Sequence, residues 1–224
     1  MSCWRIVIAL LMLSQIVMAE EELTAEQVIQ RWVKEQQEHP VSQVKFSSIE
    51  LDSIFFHQKN RLGEVTYASE TSGQFRLIPW PSTMKPLSLR RGYELSDDES
   101  IFDVSWNEST LSIHEVDGAL QATFPRQYSA WWCQSTDLFQ VFVQEAIPPL
   151  FPGPVNESRI ASFDWSISKR EPNSIWLRGY PNAKHERRKL APRWDAIIDK
   201  ASWQIRAVRM CFGDRETVMT VRRD

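Results

Sequence analysis

The most regular hydrophobic pattern in the chain runs from Gln127 to Pro154, QYSAWWCQSTDLFQVFVQEAIPPLFPGP. Tyr128, Trp131, Trp132, Leu138, Phe139, Phe142, Val143 and Ala146 recur at steps of three and four, while Gln134, Asp137, Gln140 and Gln144 fall opposite them. That spacing predicts a helix with one wide aromatic face. It ends at Pro148-Pro149, which lack amide donors and disfavour helix in the residue before them. Such a face either covers a core or lids a cavity.

A second amphipathic pattern spans Thr24 to Glu38. Thr24 and Gln27 form a capping box, and Val28, Ile29, Trp32 and Val33 share one face. The remaining apolar stretches alternate at strand period. VKFSSIELDSIFF (44–56) is the longest, and its phase changes between Phe46 and Ile49, which predicts a bulge at Ser47-Ser48. HQKNRLG is the expected turn, followed by GEVTYAS, a turn at ETSG, and QFRLIPW, a meander. Pro81 to Glu99 reads as a long surface loop ending in an acidic run. Two hairpins follow (IFDVSW, LSIHEV, ALQATF), and RIASFDWSIS, SIWLRGYP, RWDAIIDK, WQIRAVRMCF and TVMTVRR come after the aromatic helix. About ten or eleven strands without helix alternation predict a mainly β (α+β) chain. Its expected architecture is a closed or partly closed antiparallel barrel.

The first residues of this 224-residue chain carry Arg5 and an apolar run from Ile6 to Met18, then Val17 and Ala19 at the −3 and −1 positions. This pattern predicts a signal peptide over 1–19, cleaved between Ala19 and Glu20, and a single exported, periplasmic domain over 20–224. Removing the signal takes away one Arg and no acid, so the formal charge of −3 becomes −4. A mildly acidic protein has no general attraction to nucleic acid. In an oxidising compartment Cys133 and Cys211 can form one disulfide or remain two buried thiols; spacing does not decide between them.

Catalytic signatures are missing. There is no His-Glu-x-x-His, Cys-x-x-Cys, Gly-x-Ser-x-Gly or Gly-rich phosphate loop, and the chain has seven glycines. The Ser-x-x-Lys spacings at Ser42–Lys45 and Ser166–Lys169 lie in or beside strands, where residues three apart face opposite sides. His39, His57, His114 and His185 stand apart in sequence, so no metal site and no cofactor is expected. Asp195 and Asp199 share a strand face, and salt links to Arg206 or Arg193 are the simplest account of them. The basic stretch from Arg178 to Arg193 is either a solvated hairpin tip or a contact, through Arg187, Arg188 and Lys189, with anionic head groups or an acidic partner.

The order of these elements resembles the LolA-like family of periplasmic lipoprotein carriers, with the hairpins IFDVSWNESTLSIHEVDGALQATF at its centre. The tail, PPLFPG, RIASFDWSI and IWLRGYPNAKHERRKLAPRWDAIIDKASWQIRAVRMCF, is similar to the branch known chiefly from planctomycete bacteria. That branch carries a proline-flanked Phe-Gly segment, a "wLr.yP" strand and an "iiDk" hairpin. The chain departs from the carriers in its charged 81–99 loop and in Cys133 and Cys211. The resemblance implies an incomplete β-barrel with helices across its mouth, enclosing an apolar cavity for acyl chains of lipoproteins or lipids. It also implies a non-catalytic protein, peripheral rather than integral to the membrane, with an inner- or outer-membrane envelope protein as partner. Alternation and the aromatic stripe then nominate the lining: Phe46, Ile49, Leu51, Phe75, Leu77, Trp106, Trp131, Trp132, Leu138, Phe139 and Phe142. The alternative is an envelope sensor or protein-interaction module on the same half-barrel, its cavity filled by its own side chains.

Overall fold

The computed structural model describes residues 22–69, 71–85, 87–96, 100–115, 120–125, 147–182 and 193–222. Helix α1 (Ala25–Glu38) leads into β1 (Gln43–Asp52), β2 (His57–Ser69), β3 (Ser72–Pro79), β4 (Glu94–Leu95), β5 (Phe102–Trp106), β6 (Thr110–Glu115) and β7 (Leu120–Pro125). After the four-residue α2 (Glu157–Ile160) come β8 (Phe163–Arg170), β9 (Ser174–Pro181), β10 (Arg193–Asp199), β11 (Ile205–Phe212) and β12 (Arg215–Val221). Among the described residues these twelve strands form one sheet, in the order β7-β6-β5-β3-β2-β1-β12-β11-β10-β9-β8, with β4 added to β2. Every pairing is antiparallel except that of β2 with β4. The sheet stays open, as expected of an incomplete barrel. Its two edges, β7 and β8, are consecutive strands in sequence, so residues 126–162 connect one lip of the sheet to the other. No helix among the described residues is long and apolar enough to cross a membrane.

The capping box is present: Thr24 N–H donates to Gln27 Oε1 at 2.7 Å, and Gln27 N–H to Thr24 Oγ1 at 3.2 Å. Val28, Ile29 and Trp32 of α1 are buried with Val44, Phe46, Val65, Phe75, Val104, Leu177, Ile198 and Val208 in one core on the inner face of the sheet. The packing of apolar surface against that face supplies the main driving force.

Three local expectations are corrected. No bulge interrupts β1 at Ser47-Ser48; its register with β2 is regular from Gln43↔Thr66 to Asp52↔His57. The phase change arises because the strand buries opposite faces in its two halves. Val44, Phe46 and Ser48 point inward, whereas Leu51, an odd number of residues from Phe46, is buried on the outer face. The 81–99 stretch is not simply a surface loop, because its described part covers that outer face. Buried Gln58, the register partner of Leu51, accepts from Arg90 N–H at 2.9 Å and donates to Ser88 O at 3.2 Å. The turn also sits earlier than expected. HQKNRLG belongs to β2, and the chain reverses at Ser53–Phe56, where Asp52 Oδ1 accepts from Ile54 N–H and Phe55 N–H. An Asp that satisfies the amides two and three residues on initiates a turn whatever the hydrophobicity of those residues.

On the outer face of the last strands, charge replaces apolar packing. Asp195 of β10 lies between its register partners Arg178 of β9 and Arg209 of β11. Arg178 Nε donates to Asp195 Oδ1 at 2.7 Å and Arg209 Nε to Oδ2 at 2.9 Å, with Arg193 at 3.6 Å. Asp199 closes the β10–β11 turn by accepting from the amides of Ala201 and Ser202, each at 2.9 Å, and from Arg206. The salt-link reading of this pair therefore stands, with Arg178 and Arg209 as the main partners of Asp195.

Candidate functional site

The connection between the two lips of the sheet supplies the central feature of the interior. Ile147, Pro148, Pro149, Leu150, Phe151, Pro152 and Gly153 are all buried, forming a strap across the inner face. An irregular backbone is normally excluded from an apolar interior because each unpaired amide costs free energy. Three prolines remove three donors from this strap and make its burial tolerable. Of the groups that remain, Gly153 N–H donates to Gln36 Oε1 of α1 at 3.4 Å, and Ile147 O accepts from Arg159 Nη2. Phe151 meets Phe46 edge-on at 5.6 Å between ring centroids, and Phe46 in turn packs on Phe75 at 6.0 Å.

Two cavities border the strap. The larger, about 410 Å³, is lined by Tyr67, Thr71, Trp106, Ile147, Pro148, Pro149, Phe151 and the residues from Pro154 to Arg159. The smaller, about 220 Å³, lies by the C-terminal end of α1, with Gln36, Val41, Val44, Pro152, Ile205 and Val221 among its walls. The larger falls in the size range of small-molecule sites, a few hundred to about 1,000 Å³.

Arg159 is the buried cation of the larger cavity. It is held by α2, where Asn156 caps the helix by accepting Arg159 N–H at 3.0 Å. Burial pushes its guanidinium down to about 9, partly offset by Tyr67, so it remains a cation at neutral pH. Burial pushes the Tyr67 phenol up, the Arg159 charge opposing this only in part, so Tyr67 stays neutral. The rings of Tyr67 and Trp106 meet at 6.4 Å. The wall is therefore mixed: apolar and aromatic at Tyr67, Trp106, Ile147 and Phe151, polar at Thr71, Asn156, Glu157 and Ser158, with Arg159 as its buried cation. In the rest of the interior, Trp32 Nε1 and Trp194 Nε1 are buried donors with no hydrogen-bond acceptor among the described residues. Elsewhere, Glu35, Glu38 and His39 gather at the C-terminal end of α1. His39 pairs with Glu35 at 3.8 Å, and Glu38 and His39 are exposed there.

The nominated lining divides. Phe46, Phe75 and Trp106 are buried on the inner face and Leu77 packs against them half-buried, but only Trp106 borders the larger cavity. Phe46 and Phe75 belong to the core beneath the strap. Ile49 and Leu51 fall on the outer side of β1, away from the cavity. Trp131, Trp132, Leu138, Phe139 and Phe142 lie outside the described residues, as do Arg187, Arg188, Lys189 and Cys133. Cys211 is a free, half-buried thiol on β11, and Arg193 Nη2 donates to its sulfur at 3.0 Å.

Sequence reading missed Tyr67, Ile147, Phe151 and Arg159. By pattern alone the proline run reads as a helix stop followed by a connection, and Arg159 as the start of a strand that in fact begins only at Phe163. The available signal was Asn156 followed by Glu157, a helix-start pair.

Gly153 locks the strap. It has φ 134°, where L side chains are strained, and a Cβ there would come within 2.3 Å of Tyr67 Cε2. Gly153→Ala is expected to destabilise the protein by about 2 kcal/mol, through backbone strain and overpacking together. A denaturant midpoint equal to that of the wild type would show that the strap is not held at this point.

No protein-family model and no curated protein matches the chain. Among solved structures it is similar to lipoprotein LppX of Mycobacterium tuberculosis, at 8% identity over 87% of this chain and 91% of that one, with TM-score 0.43. It is also similar to LprF of Mycobacterium bovis, at 9% identity over 88% and 91%, TM-score 0.42. A third likeness is to a LolA superfamily protein of Nitrosomonas europaea, at 6% identity over 90% and 92%, TM-score 0.38. The likeness concerns the course of the backbone alone.

Proposed function

We propose that the chain is an exported, non-catalytic carrier that takes acyl chains of lipoproteins or lipids into the interior between the sheet and the 126–162 connection. The observation that carries this reading is the strap itself. A proline-rich segment, with cavities along it and a sheet open at the two lips it joins, is an element that an apolar chain can displace or lie beside. Each buried methylene would contribute about 0.8 kcal/mol, so one long acyl chain suffices for useful affinity. Arg159 and Tyr67 are placed to meet a carbonyl or anionic group at the end of such a chain. The apolar residues Trp131, Trp132, Leu138, Phe139 and Phe142 would form the lid, and Arg187, Arg188 and Lys189 would face anionic head groups.

One observation favours the second reading, an envelope sensor or protein-interaction module with a filled interior. Leu150 and Phe151 already occupy the inner face, with Phe151 against Phe46. Native mass spectrometry with lipid extraction, on protein purified from its own periplasm, separates the two. The carrier reading expects co-purifying acyl species that disappear in Phe139→Asp. A clean apo mass that also refuses added fatty acid and lipoprotein would sink it in favour of the filled module.

A further inference from the structure

The turn between β1 and β2 has an unusual composition. Ser53–Phe56 presents Ile54, Phe55 and Phe56, which are 62%, 67% and 56% exposed, where turns ordinarily carry Gly, Asn, Asp or Ser. The turn is well fixed. Asp52 Oδ1 accepts from Ile54 N–H at 2.9 Å and Phe55 N–H at 3.1 Å, Glu94 N–H donates to Phe56 O at 2.8 Å, and Ser53 N–H to Asp214 O at 2.9 Å. Phe56 has φ 54°, a left-handed conformation that a bulky side chain adopts at a cost. A strained, hydrogen-bonded turn thus holds three apolar side chains in water.

Other segments add to the same rim. The Ser53–Asp214 bond brings the β11–β12 turn alongside, with exposed Phe212, and the pairing of β4 with β2 brings Leu95. Leu89 stands between Ser88 and Arg90, both bonded to Gln58. Of the seven large hydrophobic residues exposed among the described ones, six belong to this rim, the other being Tyr180. About 36 Å of strand separates Phe56 from Tyr67 in the cavity wall, so the rim is distinct from the proposed ligand site.

We propose that this rim docks the protein on a lipid surface, with Ile54 and Phe55 entering the head-group region. The occupant follows from how the residues are arranged. Ile54, Phe55 and Phe56 project from a turn beyond the last paired row, with Phe212 and Leu95 at the strand ends beside it, instead of lining a groove, which suits a deformable lipid interface. At their base stands Tyr93, whose ring meets Phe56 at 5.9 Å and whose hydroxyl lies 3.1 Å from Ser53 Oγ, with Arg90 5.6 Å over that ring. Exposed Arg91 and Arg215 flank it. Apolar tip, tyrosine and arginine succeed one another as lipid tail boundary, glycerol region and phosphate do in a bilayer.

Of the acids nearby, Asp52 and Glu216 are paired with Arg215 and Arg90, while Glu94 and Asp214 are exposed beside the turn, so the apolar side chains and not net charge carry the docking. A row of register partners runs Arg193–Cys211–Glu216–Leu51–Gln58–Leu95 across six strands. Arg193 therefore lies in the same row as the rim residues, on the outer face.

The test is cosedimentation of the chain from Glu20 onward with vesicles of phosphatidylcholine mixed with phosphatidylglycerol. Wild type is expected to bind, and Ile54→Ser/Phe55→Ser to lose about tenfold or more of its partition, since burial of large apolar side chains drives it. These side chains are mostly exposed, so the double variant keeps the wild-type circular dichroism spectrum. Phe56→Asn gives a second signature: a raised unfolding midpoint, because Asn tolerates the left-handed conformation, together with weaker vesicle binding. Wild-type partition by the double variant, or no vesicle binding by the wild type, overturns the proposal. So does a wild-type dimer that the double variant converts to monomer without vesicle binding, which would assign the rim to a second copy of the chain. Vesicle partition and acyl-chain extraction are separate measurements, so either reading can fail while the other stands.

Discussion

Phe46→Ala is expected to lower the unfolding free energy by about 3–5 kcal/mol, as the loss of a fully buried aromatic ring does. The Phe46 side chain is 0% exposed and lies at the junction of sheet and strap, against Phe75 on one side and Phe151 on the other. It also lies over Gly63, its register partner on β2, so closely that a Cβ at position 63 would come within 2.1 Å of the Phe46 ring. Gly63 therefore exists to receive the ring, and Gly63→Val should cost about 3 kcal/mol by overpacking. The two changes act on one space. In the double variant Phe46→Ala/Gly63→Val the valine partly fills the vacated volume, so the total loss falls short of the sum of the two by about 1 kcal/mol or more. Urea denaturation of the four proteins measures this, and strict additivity would mean that the ring and the glycine do not share their site.

The second large effect is electrostatic. Asp195→Asn is expected to cost about 3 kcal/mol, because it leaves Arg178 and Arg209 facing one another across three strands with no carboxylate between them. The figure allows for the arginines being about one-third exposed, which lets water screen part of their repulsion. Burial by itself raises the Asp195 carboxyl, but hydrogen bonds from Arg178 and Arg209 outweigh it and hold the group below the usual carboxylate range. Asp199 is held at about 2, first by the Ser202 amide, against a smaller burial effect, with help from Arg206 and the Ala201 amide.

Both folded-state values lie below those of the unfolded chain, about 3.9 for Asp. Their stabilisation is therefore complete above about pH 4 and is lost as pH falls through the folded values. Wild-type stability should fall steeply from about pH 4 towards 2, and Asp195→Asn should show a shallower fall from a lower plateau. Equal slopes for the two proteins would show that Asp195 does not contribute to acid sensitivity.

The sequence by itself determined what depends on neighbours along the chain. The capping box at Thr24 and Gln27, the apolar face of α1 and most strands of a mainly antiparallel sheet were legible, because period and turn chemistry are local properties. The absence of alternating strands and helices was enough to expect a closed or partly closed antiparallel barrel. Tertiary structure decided everything that depends on what covers a residue. Ile49 and Leu51 alternate as well as Val44 and Phe46 do, but part of the 81–99 segment covers the outer face at Leu51 and Gln58, so β1 changes its buried side without a bulge. Ile54–Phe56 looked like the end of a strand because β-propensity rewards apolar residues, whereas two amide bonds to Asp52 make it a turn. Arg178, Asp195 and Arg209 are widely spaced in sequence and meet only through the register of three strands. The strap from Ile147 to Gly153 shows the limit most plainly. Three prolines rule out a continuing helix in any context, but only a sheet whose last strand pairs with its first, leaving β7 and β8 as open lips, turns that broken segment into the lining of a cavity.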